Sequence, residues 1–181
     1  MGRSVAKSRP AARLKHERGE PKASRPNMPG YGIAESKRGR GLLPWTSALK
    51  PIANARNYWI ATTRPDGRPH VMTVWAVWLD GRLLFSTGKT SRKARNLENN
   101  PHCVLCPRVE GQAIIIEGEA KRTAEPELLK EFLKAYKRKY DFDMSSMLDE
   151  PVFAVEPRVV FGWSEKTDAE FTRTATRWEF P

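Results

Sequence analysis

The sequence predicts a mainly β protein with flanking helices, folded as a small antiparallel barrel. Short stretches rich in β-branched and aromatic residues recur along the chain. Tight turn pairs such as Asp66-Gly67 and Asp80-Gly81 separate them. Six or seven such strands, with two or three helices between them, fit a closed sheet. A chain of 181 residues fits one domain and is long enough to bury a core.

The first half of the folded region is predicted to open with a helix and to continue as three strands in a meander. The helix covers residues 42–56, where Pro51 is expected to break or kink it. The strands cover residues 58–63, 69–79 and 83–87. Large residues on both faces of the second strand indicate ordinary core on both sides, or core on one side and a ligand or second subunit on the other.

The second half alternates helices and strands. A helix over 91–100 is ended by Pro101, and an amphipathic helix over 125–140 is opened by Pro126. Further strands are predicted over residues 102–109, 112–122, 152–163 with an interruption at Pro157, and 170–180.

The basic charge is concentrated at the N-terminus. The formal net charge is +11, and residues 1–44 carry 11 Lys and Arg against 3 Asp and Glu. Residues 1–40 have few large apolar side chains, so they are predicted to be a disordered basic tail before a folded domain over 41–181. Such a tail can contact nucleic acid, although it lacks interleaved aromatic residues and periodicity. Met28 is an alternative position for chain initiation.

Composition also restricts the compartment and the kind of site. The chain has no apolar run of membrane-spanning length, no cleavable signal pattern and only two cysteines, so we expect a cytoplasmic protein without a membrane segment. Cys103 and Cys106 are three residues apart in a predicted strand and therefore face opposite sides. We expect structural cysteines and no metal site.

The stretch over residues 83–101 is the most informative for function. A predicted strand there ends in hydroxyl side chains, and a basic helix begins a few residues later. Free backbone N–H groups and the helix dipole attract an anion to such a helix start. The stretch therefore predicts a phosphate site or, if nothing binds, a solvated basic helix start. A Walker A loop is not indicated because Leu83 stands where that motif needs glycine. The polar side chains concerned are Ser86, Thr87, Lys89, Thr90, Ser91, Arg92, Lys93 and Arg95.

His70 and several tryptophans are further candidates for ligand contacts. His70 lies just beyond the first hairpin turn, where such a residue is either half-exposed or in contact with a bound ring. No GxSxG motif is present, so a serine hydrolase is not indicated. Trp59, Trp75, Trp78 and Trp163 fall in predicted strands. They form either core and dimer interface or the lining of a site for a conjugated ring.

Five short motifs occur in order between residues 59 and 101. They are Trp59-x-Ala61-Thr62, Arg64-Pro65-Asp66-Gly67-Arg68-Pro69-His70, Val74-Trp75, Phe85-Ser86-Thr87 and Arg92-Lys93-x-Arg95-Asn96-Leu97-x-x-Asn100-Pro101. This order resembles the pyridoxamine 5'-phosphate oxidase-like family of split-barrel flavoproteins, and in particular its actinobacterial branch, which binds FMN or the deazaflavin F420. The resemblance runs from about residue 28 to residue 178.

The resemblance implies a six-stranded antiparallel split β-barrel of the FMN-binding type, assembled as a homodimer with a cofactor at each subunit interface. It implies that residues after the third strand hold the cofactor phosphate, that the second strand contacts the ring, and that the partner subunit closes the groove. The implied phosphate residues are Ser86, Thr87, Ser91, Arg92 and Lys93. The implied ring contacts are His70, Val71, Met72, Thr73, Val74 and Trp75, and the implied closing residues are Trp163, Arg177 and Trp178.

The resemblance also implies an activity. The expected function is a flavin (FMN) or deazaflavin (F420)-dependent oxidoreductase that transfers a hydride to or from a small organic substrate. The alternative is a non-catalytic cofactor-binding or carrier protein of the same fold. Thr73 and Ala76 stand where the family has proline and glycine. The C-terminal Arg-Leu-x-Pro pattern of true pyridoxamine phosphate oxidases is missing, so we do not expect activity on that vitamin.

Overall fold

A computed structural model describes residues 19–33, 40–145 and 149–181. The helices in these ranges are α1 (Trp45–Asn54), α2 (Arg92–Asn99), α3 (Pro126–Tyr140) and α4 (Asp168–Thr174). The strands are β1 (Lys22–Ser24), β2 (Tyr58–Thr63), β3 (Pro69–Val74), β4 (Val77–Leu79), β5 (Arg82–Ser86), β6 (His102–Pro107), β7 (Gln112–Thr123), β8 (Val152–Ser164) and β9 (Thr176–Glu179).

The strands form one antiparallel sheet that ends in β3 on one side and, because β8 pairs with both β9 and β5, in β1 and β4 on the other. Within the described ranges its order is β1-β9-β8-β7-β6-β2-β3, and β5 pairs with both β8 and β4. The sheet curls without a pairing between β3 and β4, which makes a split barrel. The predicted antiparallel barrel with flanking helices is confirmed. The described residues form nine strands, because the structure adds β1 and divides one predicted strand in two.

The division falls at Trp75 and Ala76, so the prediction of one continuous strand over residues 69–79 is wrong. The Tyr140 hydroxyl donates to the Ala76 carbonyl oxygen at 2.8 Å and accepts from the Ala76 N–H at 2.9 Å. Lys139 Nζ donates to the same carbonyl at 2.8 Å. These side chains of α3 replace the hydrogen bonds that a neighbouring strand would supply.

The interruption expected at Pro157 is a β-bulge. The register between β7 and β8 shifts between Glu117 and Gly118, and Pro157 pairs with Gly118. A Cβ atom on Gly118 would collide with the Glu156 carbonyl oxygen, so the bulge needs glycine there. The strand itself continues through this point to Ser164.

Two apolar clusters hold the fold together. Tyr58, Phe85 and Trp178 are among the fully buried residues inside the barrel. The predicted apolar side of α3 packs outside the barrel, where Phe132 joins Leu84 in a second cluster. None of the helices in the described ranges is long and apolar enough to cross a membrane.

The prediction of a strand over residues 170–180 is wrong for its first half, which is helical. Thr167 caps α4 by accepting a hydrogen bond from the Glu170 N–H at 3.1 Å. This local side-chain bond starts a helix that β-branched and aromatic composition alone did not predict. Only Thr176–Glu179 forms the predicted strand.

The prediction of a disordered tail is wrong for residues 19–33, whereas 1–18 and 34–39 lie outside the described residues. β1 pairs with β9, and Ala23 stands opposite Trp178. Arg25 Nη1 donates to the Ala175 carbonyl at 2.9 Å and to the Thr172 carbonyl at 3.3 Å. The pairing uses backbone groups and one long cation, neither of which requires the apolar side chains whose scarcity suggested disorder.

Lys139 makes stability depend on pH in the alkaline range. Its ammonium group lies 5.0 and 5.4 Å from the ring centroids of Tyr58 and Tyr140, and burial lowers its pKa to about 8. An unfolded lysine titrates at about 10.4, so between these two values Lys139 leaves more protons on the unfolded chain, and its contribution to the free energy of unfolding rises with pH. The buried thiol of Cys103, whose pKa burial raises to about 12, acts in the opposite sense above about pH 8.5, where cysteines of the unfolded chain ionise. Burial raises the pKa of both tyrosines, and they add to the opposing effect above about pH 10.

We expect the difference in free energy of unfolding between wild type and Lys139→Met, measured by urea denaturation, to shift in favour of wild type between about pH 8 and pH 10. The two proteins share their cysteines and tyrosines, so the difference isolates the lysine. Lys134→Met is the matched control, because that lysine is exposed on the same helix and paired with Glu131. A difference between wild type and Lys139→Met that stays constant over this range would contradict the assignment.

Candidate functional site

The end of β5 and the start of α2 bring three hydroxyl side chains together. Thr87 Oγ1 lies 3.2 Å from Ser91 Oγ, and Ser91 Oγ caps α2 by accepting from the Ala94 N–H at 3.2 Å. Ser86 Oγ donates to the Pro151 carbonyl at 3.2 Å. The Thr87 N–H donates to the same carbonyl. We call Ser86, Thr87 and Ser91, with the first turn of α2, the anion site.

Four nitrogen-bearing side chains at this end of the barrel lie near enough for the charges of three of them to act on the fourth, His70. Arg92 and Lys93 come from the first turn of α2, Arg64 from the turn after β2, and His70 from β3. Burial, and then the charges of Arg64, Lys93 and Arg92, lower the pKa of His70. Burial also lowers the pKa of Lys93. We call these four residues the cationic cluster.

The carboxylate of Asp66 lies near the cationic cluster but neutralises little of its positive charge. Asp66 Oδ2 is 2.7 Å from Arg68 Nη2, and both side chains are exposed. Hydrogen bonds from Arg68 are the main cause of the lowered pKa of Asp66, and Arg64 and Arg92 contribute less. Asp66 is therefore satisfied chiefly within its own turn.

A second carboxylate lies at the anion site itself. The Lys89 N–H, in the loop before α2, donates to Glu150 Oε2 at 2.6 Å. A backbone N–H at this position is the kind of donor that a bound phosphate uses. Glu150 thus places a negative charge beside the loop that leads into α2, where it opposes the binding of an anion.

The donors of the anion site fit a phosphate ester. Ser86 donates its proton to the Pro151 carbonyl, and the Thr87–Ser91 pair leaves one hydroxyl proton free. That proton, the N–H groups of the first turn of α2, the Lys93 ammonium and the Arg92 guanidinium can donate to phosphate oxygens. The Ser91 cap aligns the start of α2, whose dipole adds to the attraction. The structure therefore brings together the five residues predicted to hold a phosphate: Ser86, Thr87, Ser91, Arg92 and Lys93.

The six predicted ring contacts lie along β3 and just beyond it. Val71 and Met72 are 51% and 48% exposed, Thr73 is exposed and His70 is half-buried. By contrast, Val74 faces the core. Trp75 stacks on Tyr140 with ring centroids 4.7 Å apart. β3 pairs with β2 alone among the described strands, so its other edge is open to a ligand.

Trp163 and Arg177 lie away from the anion site within one chain. They line a groove of about 530 Å³ together with Ile115, Phe161 and the segment Pro26–Met28. The groove lies on the same face of the sheet as Trp59. Trp59 pairs with Cys106, and the register of the next strands continues this row through Ile115 and Phe161 to Arg177. The chain by itself does not bring this groove to the anion site.

The structure adds residues that sequence reasoning missed. Asn96 is completely buried on α2, and its Nδ2 donates to Thr62 Oγ1 of β2 at 2.9 Å. Arg64 and Glu150 join the site from distant parts of the chain. In the sequence, Asn96 stands between the apolar residues Ala94 and Leu97, and that neighbourhood was the signal that its side chain faces inward. The structure shows both neighbours buried.

The cysteines show no feature of a reactive pair. Cys103 is buried and Cys106 is half-buried, and both are free thiols. Burial raises the pKa of the Cys103 thiol to about 12, so it stays protonated near neutral pH. In the part of the chain that the structure describes, no group of three His, Cys, Asp or Glu side chains is placed to bind a metal ion.

Comparison with known proteins places most of the chain in one family. Residues 47–164 match the family model for pyridoxamine 5'-phosphate oxidase. A pyridoxine/pyridoxamine 5'-phosphate oxidase of Rubrobacter xylanophilus is 40% identical over 72 residues, which are 38% of this chain and 33% of that protein. The matched part thus spans about a third of the length of this relative.

Three solved structures share the fold. A conserved hypothetical protein of Mycobacterium tuberculosis is 21% identical, with a TM-score of 0.64 over 71% of this chain and 89% of that one. An F420 reductase is 21% identical, with a TM-score of 0.51 over 61% and 93%. A pyridoxamine 5'-phosphate oxidase-related, FMN-binding protein of Nostoc punctiforme is 16% identical, with a TM-score of 0.53 over 71% and 88%.

Neutralising Glu150 is expected to strengthen anion binding. Glu150→Gln should bind inorganic phosphate about twofold to fivefold more tightly, because it removes a like charge from a partly exposed site. Titration of the ligand-free protein, followed by NMR, measures the affinity. Asp149→Asn, which neutralises the adjacent exposed residue, is the control. Equal affinities of Glu150→Gln and wild type would contradict the placement of Glu150 at the anion site.

Proposed function

Since the chain belongs to the pyridoxamine 5'-phosphate oxidase family, we propose that it is an oxidoreductase that uses a phosphate-bearing flavin-type cofactor, FMN or F420. It transfers a hydride to or from a small organic substrate. The observation that carries the proposal is the hydroxyl-lined start of α2 beside the cationic cluster. The similarity of the fold to an F420 reductase and to an FMN-binding protein supports this class of cofactor.

The residues of the anion site bind and orient the cofactor through its phosphate. Ser91 and Thr87 present hydroxyl groups 3.2 Å apart, and Lys93 and Arg92 add fixed charge. The cofactor, when bound, supplies the hydride chemistry, and FMN also permits one-electron steps. The protein contributes orientation and electrostatic stabilisation.

The open edge of β3 is where the ring lies in this proposal. Backbone groups on that edge have no strand partner among the described residues, so they are free to bind the polar rim of a flat ring. Val71 and Met72 point to opposite sides of β3, and both are exposed. An apolar side chain on each side of the open edge suits a ring on one side and a second subunit on the other.

We also propose that the protein is a homodimer joined through the outer face of its sheet. Trp59 is 50% exposed, and the register places Val71, Val104 and Cys106 on the same face. A contiguous exposed apolar patch of this kind marks a protein interface. Further apolar members of the face are Ala61, Ile115, Phe161 and Trp163.

The dimer also accounts for the distance between the anion site and the groove of Trp163 and Arg177. A symmetric interface brings one copy of a surface against the other copy. Trp163 and Arg177 of one subunit can then close the cofactor site of the other. In this arrangement one subunit supplies the anion site and its partner supplies the side chains that cover the bound cofactor.

The cofactor is identified by titrating the protein with FMN and, separately, with F420, followed by fluorescence. We expect affinity in the micromolar range or tighter for one of them. Lys93→Ala should weaken it about tenfold, because a charged hydrogen bond to phosphate is lost. Lys130→Ala, which changes an exposed lysine of α3, should leave it unchanged. Absence of binding by both cofactors would overturn the proposal.

Turnover separates an enzyme from a carrier. The reduced protein–cofactor complex is mixed anaerobically with a panel of quinones, enones and related acceptors, and oxidation of the cofactor is followed by absorbance. Acceptor-dependent oxidation supports the oxidoreductase. Tight binding without it would instead support a non-catalytic carrier.

The interface is tested by placing a charge on it. Trp59→Lys should shift the protein from dimer to monomer in analytical ultracentrifugation, because a buried unpaired ammonium opposes association. Phe142→Lys, at an exposed aromatic residue beside Trp75 and Tyr136, is the matched control and should remain dimeric. A monomeric wild-type protein would rule out the dimer.

A further inference from the structure

The imidazole of His70 has one polar contact and a surrounding of positive charge. Its Nδ1 atom lies 3.4 Å from Thr62 Oγ1 on the neighbouring strand. Its other surroundings include Arg64, Arg92 and Lys93, whose charges lower its pKa after the effect of burial. Which of its two ring nitrogens carries the proton therefore decides what the cationic cluster can bind.

The hydrogen bonds around Thr62 favour a proton on Nδ1. Thr62 has one hydroxyl proton, and the His70 carbonyl oxygen lies 3.3 Å away to accept it. The Thr62 oxygen also accepts from Asn96 Nδ2 at 2.9 Å, and a hydroxyl oxygen can accept twice. A proton on Nδ1 uses that second acceptor position. If Nδ1 were instead the acceptor, the hydroxyl would have to give up its bond to the carbonyl.

The orientation of the Asn96 amide does not change this result. Asn96 Oδ1 is buried without a hydrogen-bond partner among the described residues. If the amide is turned over, Oδ1 accepts the Thr62 proton and the Thr62 oxygen still accepts from His70 Nδ1. In both orientations the single proton of Thr62 is used on an oxygen atom.

The nearby positive charges favour the same tautomer. The guanidinium and ammonium groups of Arg64, Arg92 and Lys93 are donors only. Because Nδ1 contacts Thr62, Nε2 is the ring nitrogen left for other partners, and a lone pair there suits surroundings of positive charge better than an N–H group does. A doubly protonated ring would add a further positive charge to three cations.

We propose that Thr62, held by the buried Asn96, keeps His70 neutral with its proton on Nδ1, so that Nε2 is a hydrogen-bond acceptor within the cationic cluster. Thr62 and Asn96 are positioning residues in this assignment. The tautomer itself is a property of the ligand-free protein. Its role rests on the proposed function.

An acceptor at this place complements the donors of the anion site. The side chains of Arg64, Arg92 and Lys93 recognise the anionic part of a ligand and offer nothing to its N–H or O–H groups. His70 Nε2 accepts from such a group, for example from a sugar-alcohol hydroxyl or an imide N–H of a flavin-type cofactor. The cluster therefore selects ligands that carry a phosphate and a hydrogen-bond donor together.

The tautomer is measured directly by ¹⁵N NMR on the full chain labelled at histidine, without any cofactor, at neutral pH. The chain has three histidines, and the signals of His70 are identified by their loss in His70→Asn. We expect a pyrrole-type nitrogen signal at Nδ1 and a pyridine-type signal at Nε2. The opposite pattern, or two pyrrole-type signals from an imidazolium ring, would overturn the proposal.

The role of Thr62 is tested by a pair of variants. Thr62→Val removes the hydroxyl with little change of shape and should shift His70 toward the Nε2–H tautomer, which free histidine prefers. Thr62→Ser restores the hydroxyl and should restore the wild-type pattern. An unchanged tautomer in Thr62→Val would show that Thr62 does not set it. Failure of both FMN and F420 to bind leaves these signals measurable, so the tautomer and the proposed function fail separately.

Discussion

The break between β3 and β4 is the constraint on which the rest of the structure depends. At Ala76 the chain leaves the sheet inside the protein, and buried backbone N–H and C=O groups need partners there. Tyr140 supplies both an acceptor and a donor, and Lys139 supplies a second donor to the carbonyl. Because α3 satisfies these groups, no strand has to do so, and the barrel stays split with β3 as an edge.

An open edge strand with exposed apolar side chains pairs readily with other chains and promotes aggregation unless another group covers it. Val71 and Met72 are both about half exposed although they point to opposite sides of β3. One covering layer therefore cannot protect both. The proposed ring and the proposed partner subunit cover one side each, so the cofactor and the dimer answer the same physical requirement.

The anion site is coupled to this strand through the interior. Asn96 on α2 and Thr62 on β2 are joined by a buried hydrogen bond of 2.9 Å, and Thr62 in turn contacts His70 on β3. Losing one partner would leave a buried polar group unpaired, at a cost of about 1–3 kcal/mol. The helix that carries Arg92 and Lys93 is thus held at a fixed distance from the strand that would carry the ring.

The sequence by itself determined the features that neighbouring residues encode. The bounds of β2 and the contiguous hydroxyls and cations of the anion site follow from local patterns, and the same motifs carried the resemblance to the family. Only the tertiary structure brought Arg64, Glu150 and Asn96 to the site and paired β1 with β9. These residues meet partners tens of positions away along the chain, and the energy of such a contact depends on burial and distance in three dimensions, which no local pattern contains.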